Sequence, residues 1–200
     1  MKKQILILIL FSSLFITTSN LVAEVEEVIL RWNAVLCLET CVPGIERNLA
    51  GIRQVSNLQI NGRSGIATMG WNPSYPFSYE PFRLAMSAAG IAILDMRLRI
   101  RGTITHDSNN VYLISNGDGA RFRLLGALVV DQGRYIPRYS METHPLPPSV
   151  KAQLLDAELK GYTVIISGPM YLPAQYPLII TAEQIKILSK ESEMDPRYRR

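Results

Sequence analysis

The clearest alternation of apolar and polar residues in the chain lies between positions 94 and 101. Successive side chains of a β-strand point to opposite faces of a sheet, so this pattern predicts a strand with one buried face and one charged face in water. The inward face would hold Leu94, Met96, Leu98 and Ile100, and the outward face Asp95, Arg97, Arg99 and Arg101.

Upstream of that strand, strand-like and helix-like patterns alternate. Pro43 suits the first position of a helix, where its missing N–H costs nothing, and apolar residues then recur at helical spacing as far as Ile52. A second helix is predicted over 81–89 and is followed by Gly90, the residue expected just past a helix end. The order β-α-β-β-α-β predicts a four-stranded antiparallel sheet with both helices on one face. The other predicted strands cover 27–33, 55–60 and 65–71.

The second half of the chain has a different order of elements. Asn116-Gly117-Asp118-Gly119 is typical of a hairpin turn, and the strand that begins near Arg99 could run on to His106 and join the two halves. Ser149 suits the cap of a helix that Gly161 closes. The order β-β-β-α-β-β predicts a small five-stranded barrel. The predicted elements are strands at 111–116, 120–125, 163–168 and 178–188, a helix at 149–160 and a looser segment at Leu128–Tyr139.

The first residues have the pattern of a targeting segment. Lys2 and Lys3 form a basic start, the apolar run Ile5–Ile16 follows, and Ala23 provides a small residue before a cut. A membrane-spanning helix needs about 20 apolar residues, and this run is shorter. We therefore expect residues 1–23 to be a cleaved signal peptide and the protein to be periplasmic or secreted, with no membrane span after cleavage.

Composition and charge narrow the function classes. An apolar content of 48% is enough for a buried core, and the formal net charge of +4 includes two lysines that a cleaved signal would remove, so no nucleic-acid partner is expected. The basic residues cluster only near the C-terminus, among acidic ones, which predicts a disordered tail over 189–200. With two histidines and no G-x-S-x-G, H-E-x-x-H or phosphate-loop motif, the sequence does not predict an enzyme.

The only two cysteines, Cys37 and Cys41, lie between the first predicted strand and the first predicted helix. The positive end of a helix dipole favours thiolates there. Two thiolates suit Cu(I), whereas they leave Zn(II) two ligands short, and His106 and His144 are far away in sequence. The alternatives are a local disulfide, which persists in an oxidising compartment and binds no metal, or two inert thiols.

Residues 25–101 resemble the heavy-metal-associated domain of copper chaperones and metal-transporting ATPases. Beyond the element order and the cysteine loop, the resemblance is carried by Gly65-Ile66-Ala67, Trp71-Asn72-Pro73 and Ala88-Ala89-Gly90. It implies a ferredoxin-like fold in which Cys37 and Cys41 hold Cu(I) and pass it to a partner. Three residues rather than two separate the cysteines, and Val35 stands where the family usually has Met.

Other residue groups offer weaker candidates. The methionines Met69, Met86, Met96, Met141 and Met170 are scattered, which favours core packing over a thioether copper site. The row of arginines at 97, 99 and 101 is interpreted as a solvated strand face. A stacking groove for a peptide, glycan or protein loop could be formed by Tyr112, Arg121, Phe122 and Arg123.

The sequence therefore favours an exported, non-enzymatic binding protein of the α+β class. A ferredoxin-like, heavy-metal-associated-type domain at 25–101 would precede a barrel at 102–188 that resembles OB-fold barrels in element order. Cys37 and Cys41 would capture copper(I) or another soft metal ion, exchanged with a metal donor or acceptor. In the alternative, the two cysteines form a disulfide, no metal is bound, and the chain is an envelope protein-interaction or structural module.

Overall fold

A computed structural model describes residues 25–35, 37, 41–126 and 144–188. The predicted signal peptide at 1–23, the segment Leu128–Tyr139, Met141 and the predicted tail at 189–200 lie outside these residues. Among the described residues, no helix combines the length and the apolar character needed to cross a membrane.

Nine strands and three helices make up the described parts of the chain. The helices are α1 (Val42–Ala50), α2 (Glu80–Ala88) and α3 (Pro148–Lys160). The strands are β1 (Val25–Arg31), β2 (Val55–Asn61), β3 (Ile66–Trp71), β4 (Asp95–His106), β5 (Val111–Ser115), β6 (Arg121–Gly126), β7 (Thr163–Tyr171), β8 (Leu178–Ala182) and β9 (Gln184–Leu188).

All nine strands belong to one sheet of order β2-β3-β1-β4-β5-β6-β8-β7-β9, and a further pairing of β4 with β7 closes five of them into a barrel. Among the described strands, every pairing is antiparallel except that of β6 with β8. The protein is therefore a mixed α+β structure with a closed five-stranded barrel. This confirms the predicted α+β class and the predicted barrel.

The first half forms a layered unit, defined here as β1–β4 with α1 and α2. Strands β2, β3, β1 and β4 lie side by side in that order. Their alternate apolar residues, such as Leu30 and Met69, are buried in one cluster with Ile45 of α1 and Phe82 of α2. The helices form because their apolar residues share one side, which packs on the sheet.

Strand β4 belongs to both halves of the molecule. Its Leu98 pairs with Val28 of β1, its Ile104 pairs with Leu113 of β5, and its Ile100 pairs with Ile166 of β7. The strand expected to run on to His106 is present, because β4 spans twelve residues. A single strand therefore carries the layered unit on one side and the barrel on the other.

An aromatic cluster connects the two interiors. Trp71 lies with its ring centroid 5.2 Å from that of Phe77 and 5.4 Å from that of Phe82. The Phe77 ring is in turn 6.0 Å from Phe122 of the barrel. Because these rings belong to one cluster of buried residues, the layered unit and the barrel share a continuous hydrophobic core.

Several predicted ends are confirmed and others are shifted. Gly90 and Gly161 follow α2 and α3 with positive φ angles of 74° and 62°, as expected of residues that close helices. The start of α3 was wrongly predicted, because the helix begins at Pro148 and Pro147 rather than Ser149 is its cap. Leu94, predicted to point inward, is 65% exposed because it precedes β4.

The segment 178–188, predicted as one strand, contains two. Glu183 separates β8 from β9, and its backbone N–H lies within hydrogen-bonding distance of the carbonyl oxygens of Ser167 and Thr181. This turn lets β8 pair with β6 while β9 pairs with the first half of β7. The sequence has no proline, glycine or asparagine in this segment to indicate the change of partner.

Candidate functional site

The cysteine loop joins the end of β1 to the start of α1. The Asn33 side-chain oxygen accepts a hydrogen bond from the Val35 N–H at 3.0 Å, and the Cys37 N–H donates to the Ala34 oxygen at 3.1 Å. Cys41 is the N-cap residue of α1, so the helix begins at Val42, one residue before Pro43, the predicted first position. A disulfide links Cys37 to Cys41, with their Cα atoms 5.5 Å apart.

The two cysteines differ in burial. Cys37 is 4% exposed and belongs to the hydrophobic core, whereas Cys41 is partly buried and packs against it. A disulfide presents no thiolate, so the oxidised pair has no metal ligand to offer. The described residues also contain no group of three or more His, Cys, Asp and Glu that could hold a metal ion. Metal binding by Cys37 and Cys41 stays a prediction for the reduced form.

The two histidines do not join the cysteines. His106 ends β4, and its Nδ1 lies 2.6 Å from the Glu158 Oε2 of α3. The backbone oxygen of His144 accepts a hydrogen bond from the Gly126 N–H at 3.1 Å, beside the end of β6. Both residues therefore belong to the barrel half of the molecule.

An apolar cavity of about 740 Å³ lies beside the disulfide. It is bordered by Val35 and Cys37 of the loop, Val42 of α1, and Ile60 and Gly62 of the β2–β3 hairpin. The hairpin packs closely on α1 here, because a Cβ on Gly62 would lie 2.7 Å from a Val42 methyl group. The cavity offers a hydrophobic surface and few polar groups.

A second cavity, the lateral cleft, lies where the layered unit meets the barrel, with a volume of about 450 Å³. Asp118 holds two of its walls together, because its Oδ2 accepts the Phe77 N–H at 2.7 Å and its Oδ1 accepts the Ala120 N–H at 3.0 Å. Asp118 therefore has its predicted role in the turn, and it also connects that turn to the distant segment that contains Phe77. The cleft is lined by Pro76, Tyr79, Arg121, Pro173, Tyr176 and Leu178.

Next to the lateral cleft, the outer face of β5 and β6 carries Tyr112, Arg121 and Arg123. The Arg121 guanidinium carbon lies 3.7 Å from the centre of the Tyr112 ring, and Arg123 pairs with Tyr112 across the strands. Phe122, predicted to belong to this groove, is fully buried inside the barrel. The prediction was wrong for Phe122 because side chains alternate along a strand, so residues 121 and 123 exclude 122 from the outer face.

Tyr112 is held by Asp107 in the β4–β5 turn. The Tyr112 hydroxyl donates to Asp107 Oδ2 at 2.8 Å. Hydrogen bonds from the backbone N–H groups of Asn110 and Asn109, and then from Tyr112, lower the pKa of Asp107 to about 2. The same bond to Asp107, together with burial, raises the pKa of Tyr112. The ring is therefore fixed in place beneath Arg121.

The arginine row on β4 is less free than the sequence suggests. The Nε atoms of Arg99 and Arg101 each lie 2.7 Å from a carboxylate oxygen of Glu26 in β1, and Arg97 pairs with Glu183. These ion pairs connect strands that are distant in sequence, so the pattern of the strand alone does not reveal them. The row contributes to the sheet rather than offering free cations.

The prediction that the methionines pack in the core is confirmed for the four of them that the structure describes. Met69, Met86, Met96 and Met170 are all buried in the hydrophobic core. Core packing therefore accounts for each of these four side chains.

In comparisons with known proteins, no family model, no curated protein and no solved structure matched the chain. The resemblance to heavy-metal-associated domains is therefore a hypothesis that rests on element order, cysteine positions and the short residue patterns of the sequence.

Proposed function

We propose that this chain is an exported, non-enzymatic interaction protein of the cell envelope, in which the cysteine pair is a structural clasp. The observation that carries the proposal is the state of Cys37, which is buried in the core and bonded to Cys41. A sulfur in that position is shielded from an incoming metal donor. The clasp instead fixes the loop between β1 and α1.

The framework proposed for this role has two parts. The sheet order β2-β3-β1-β4 with two helices supports a ferredoxin-like unit over 25–101. The closed order β4-β5-β6-β8-β7, with α3 between β6 and β7, supports an OB-like barrel over 102–188. Both are binding scaffolds on which function lies in added side chains rather than in the fold.

Capture of copper(I) is the second candidate, and it belongs to the reduced protein. Cys41 caps α1, where the helix dipole would favour its thiolate after reduction. The apolar cavity beside Cys37 would place hydrophobic side chains next to a soft metal ion held there. Binding would release the two thiol protons and would require Cys37 to turn out of the core.

Thiol titration and copper uptake separate the two candidates. The full chain, purified from an exporting host without reductant, is titrated with a thiol reagent under denaturing conditions. Cu(I) is then offered anaerobically to the oxidised protein, the reduced protein and a Cys37→Ser, Cys41→Ser variant. The clasp proposal expects no free thiol and no cysteine-dependent copper in the oxidised protein. Free thiols after export, with stoichiometric copper that the variant does not bind, would replace it with copper capture.

The clasp should also contribute to stability. Closing a loop of this size removes conformational freedom from the unfolded chain and is worth about 2 kcal/mol in the chain-entropy account. We expect reduction of wild type to lower the unfolding free energy by about that amount, measured by urea denaturation. The double serine variant, already without the bond, should show no further loss on adding reductant. An equal loss in both proteins would show that the reductant acts elsewhere.

A further inference from the structure

The walls of the lateral cleft are formed by apolar and aromatic side chains from both halves of the molecule. Phe77 and Tyr79 come from the loop before α2, and Leu178 begins β8. Tyr176, in the β7–β8 loop, is 82% exposed. A large aromatic side chain left open beside prolines provides rigid contact area for a ligand, because tyrosine loses little freedom on binding.

The acidic groups of the lateral cleft are already occupied. Both carboxylate oxygens of Asp118 accept backbone N–H groups. Both oxygens of Glu80 accept hydrogen bonds from Arg83, at 2.8 and 2.5 Å. Arg121 is the cation that lines the cleft without a direct ion pair, since no carboxylate among the described residues lies within ion-pair distance of it and the Asp107 carboxylate acts on it only at longer range.

Arg123 adds a second unmatched cation. Its Nε is buried and finds no hydrogen-bond acceptor in the part of the chain that the structure describes. The Nε itself is out of reach of a ligand, but Arg123 is only partly buried and its terminal guanidinium nitrogens are not among the buried atoms, so an external carboxylate can pair with them. Arg121 and Arg123 lie on the same face of β6, about 7 Å apart along an extended strand. Alternate side chains of an extended peptide have the same spacing.

We propose that the lateral cleft and the adjoining face of β6 bind an acidic peptide segment of a partner protein. The segment is extended, and it carries two carboxylates in a Glu-x-Glu or Asp-x-Asp arrangement that pair with Arg121 and Arg123. A neighbouring aromatic or proline side chain packs between Tyr79 and Tyr176. The inference rests on the proposed role of the chain as an interaction protein, and it names the chemistry of the partner.

Peptide is favoured over nucleic acid and glycan by the state of the side chains. Stacking of a base beside the two arginines needs a free aromatic face there, but Arg121 covers the Tyr112 ring, and the chain has only a weak basic footprint for nucleic acid. A sugar needs several unengaged hydrogen-bonding groups, but Asp118 and Glu80 are already bonded within the protein. Besides Ser78 and Gln175, the cleft offers mostly apolar side chains, and two guanidinium groups lie in or beside it. These surfaces match hydrophobic and carboxylate side chains.

Selection from a random phage-displayed peptide library tests the proposal. The full chain, immobilised in low salt, should enrich sequences with two acidic residues one position apart beside Phe, Tyr, Trp or Pro. The enriched sequence is then made with a fluorescein label, together with a form in which Gln replaces the acidic residues. Fluorescence anisotropy should show at least about tenfold weaker binding of the Gln form, in line with loss of charge-assisted pairs.

Matched variants locate the site. Arg121→Gln and Arg123→Gln should each lower the affinity for the acidic peptide by about tenfold. Tyr176→Ser should lower it less, because the Tyr176 ring contributes contact area rather than charge. Arg53→Gln is the control, since it removes the same charge from an exposed turn that does not line the cleft, and it should change affinity less than about twofold. Circular dichroism spectra of all four should match wild type.

Several results would overturn the proposal. They are a failure to enrich acidic peptides, equal loss of affinity in Arg53→Gln, or tighter binding of a single-stranded oligonucleotide or an acidic oligosaccharide than of the peptide. These outcomes are separate from the test of the clasp, because cysteine-dependent copper uptake would remove the proposed function whatever the peptide result. Absence of peptide binding in a copper-free, fully oxidised protein would remove the peptide ligand alone.

Discussion

The layered unit and the barrel differ in how the side chains that stand out in their sequences are partnered. In the layered unit the cysteines are bonded to each other, and Arg99 and Arg101 of the arginine row both bind Glu26. On the barrel, Arg123 keeps a buried donor without an acceptor in the described chain. The most conspicuous sequence feature therefore stabilises the fold, and the less conspicuous pair of arginines is the better candidate for binding.

The two regions also differ in how they cover their interiors. The layered unit needs α1 and α2 to cover its sheet, and each helix presents buried apolar residues. The barrel covers itself by closing, and α3 contributes only Leu154 and Ala157 as fully buried residues. Strand β4 nevertheless belongs to both, so the difference in construction need not give a difference in stability.

Truncation of one large ring in each region tests whether they unfold together. Phe82→Ala in the layered unit and Phe122→Ala in the barrel each remove a fully buried ring, which costs about 3–5 kcal/mol. Because the cores are continuous, we expect both variants to lower the midpoint of one common transition. Urea denaturation followed by tryptophan fluorescence and by far-ultraviolet circular dichroism measures it.

Coincident transitions in both variants would support one cooperative unit. The two regions would instead unfold independently if Phe82→Ala lost the native fluorescence of Trp32 and Trp71 while the β-sheet dichroism signal persisted. Amide hydrogen exchange of β8, in that case, would keep its protection.

Barrel closure should be more sensitive to added volume than the start of a helix. A Cβ on Gly168 would overlap the backbone carbonyl oxygen of Thr181 where β7 passes β8. We expect Gly168→Ala to cost at least about 1–3 kcal/mol, since backbone atoms must move. Gly44→Ala is the matched change in α1, where a Cβ meets nothing within 4 Å, and it should stabilise by about 0.5–1 kcal/mol.

Thermal and urea unfolding of the two alanine variants provide the readout. Opposite signs are expected, with the loss at Gly168 larger than the gain at Gly44. If Gly168→Ala were neutral, the crossing of β7 and β8 would be looser than described, and the barrel would be less tightly closed.

The smallest expected effect concerns the outer face of the barrel. Hydrogen bonds from Asn110, Asn109 and Tyr112 lower the pKa of Asp107 to about 2, whereas an ordinary aspartate titrates near about 3.9. Because the folded-state pKa is the lower one, the turn is stabilised above about pH 4, and that stabilisation is lost as the pH falls from about 4 to about 2. A carboxyl-carbon NMR titration of Asp107 measures the midpoint.

The variant Tyr112→Phe separates the contribution of the Tyr112 hydroxyl to the Asp107 pKa from that of the backbone donors. It removes the side-chain bond but keeps the two backbone N–H donors, so the Asp107 pKa should rise part of the way toward its ordinary value. An ordinary midpoint in wild type would mean that the β4–β5 turn does not hold Tyr112, and that the barrel face is less ordered than the layered unit.

Local patterns predicted the elements of this protein well. The helix face of α1, the glycines after α2 and α3, and the alternation along β4 each follow from a period or a turn residue within a few positions. The element order of the second half correctly predicted a closed five-stranded barrel, but it missed β9, because 178–188 was predicted as one strand. Boundaries were less accurate where proline moved the start of α3 or where Glu183 divided the predicted last strand into two.

Side-chain roles that depend on distant segments could not be predicted in this way. The Glu26 ion pairs require the register of β1 against β4, and the Asp118 tie to Phe77 spans 41 positions. The burial of Cys37 depends on how its loop turns over the core, which a spacing of cysteines does not specify. Phe122 was assigned to the wrong face of β6. Because side chains alternate along a strand, placing Arg121 and Arg123 on the outer face would already have put Phe122 inside the barrel.

The predicted boundary between residues 101 and 102 falls in the middle of β4. A chain divided there would give two fragments that each hold half a strand and expose unpaired backbone N–H and C=O groups along it. Neither half could then be moved into another protein by recombination and fold there independently. The two fragments would be expected to recover a native state only by complementing each other, as a split protein does.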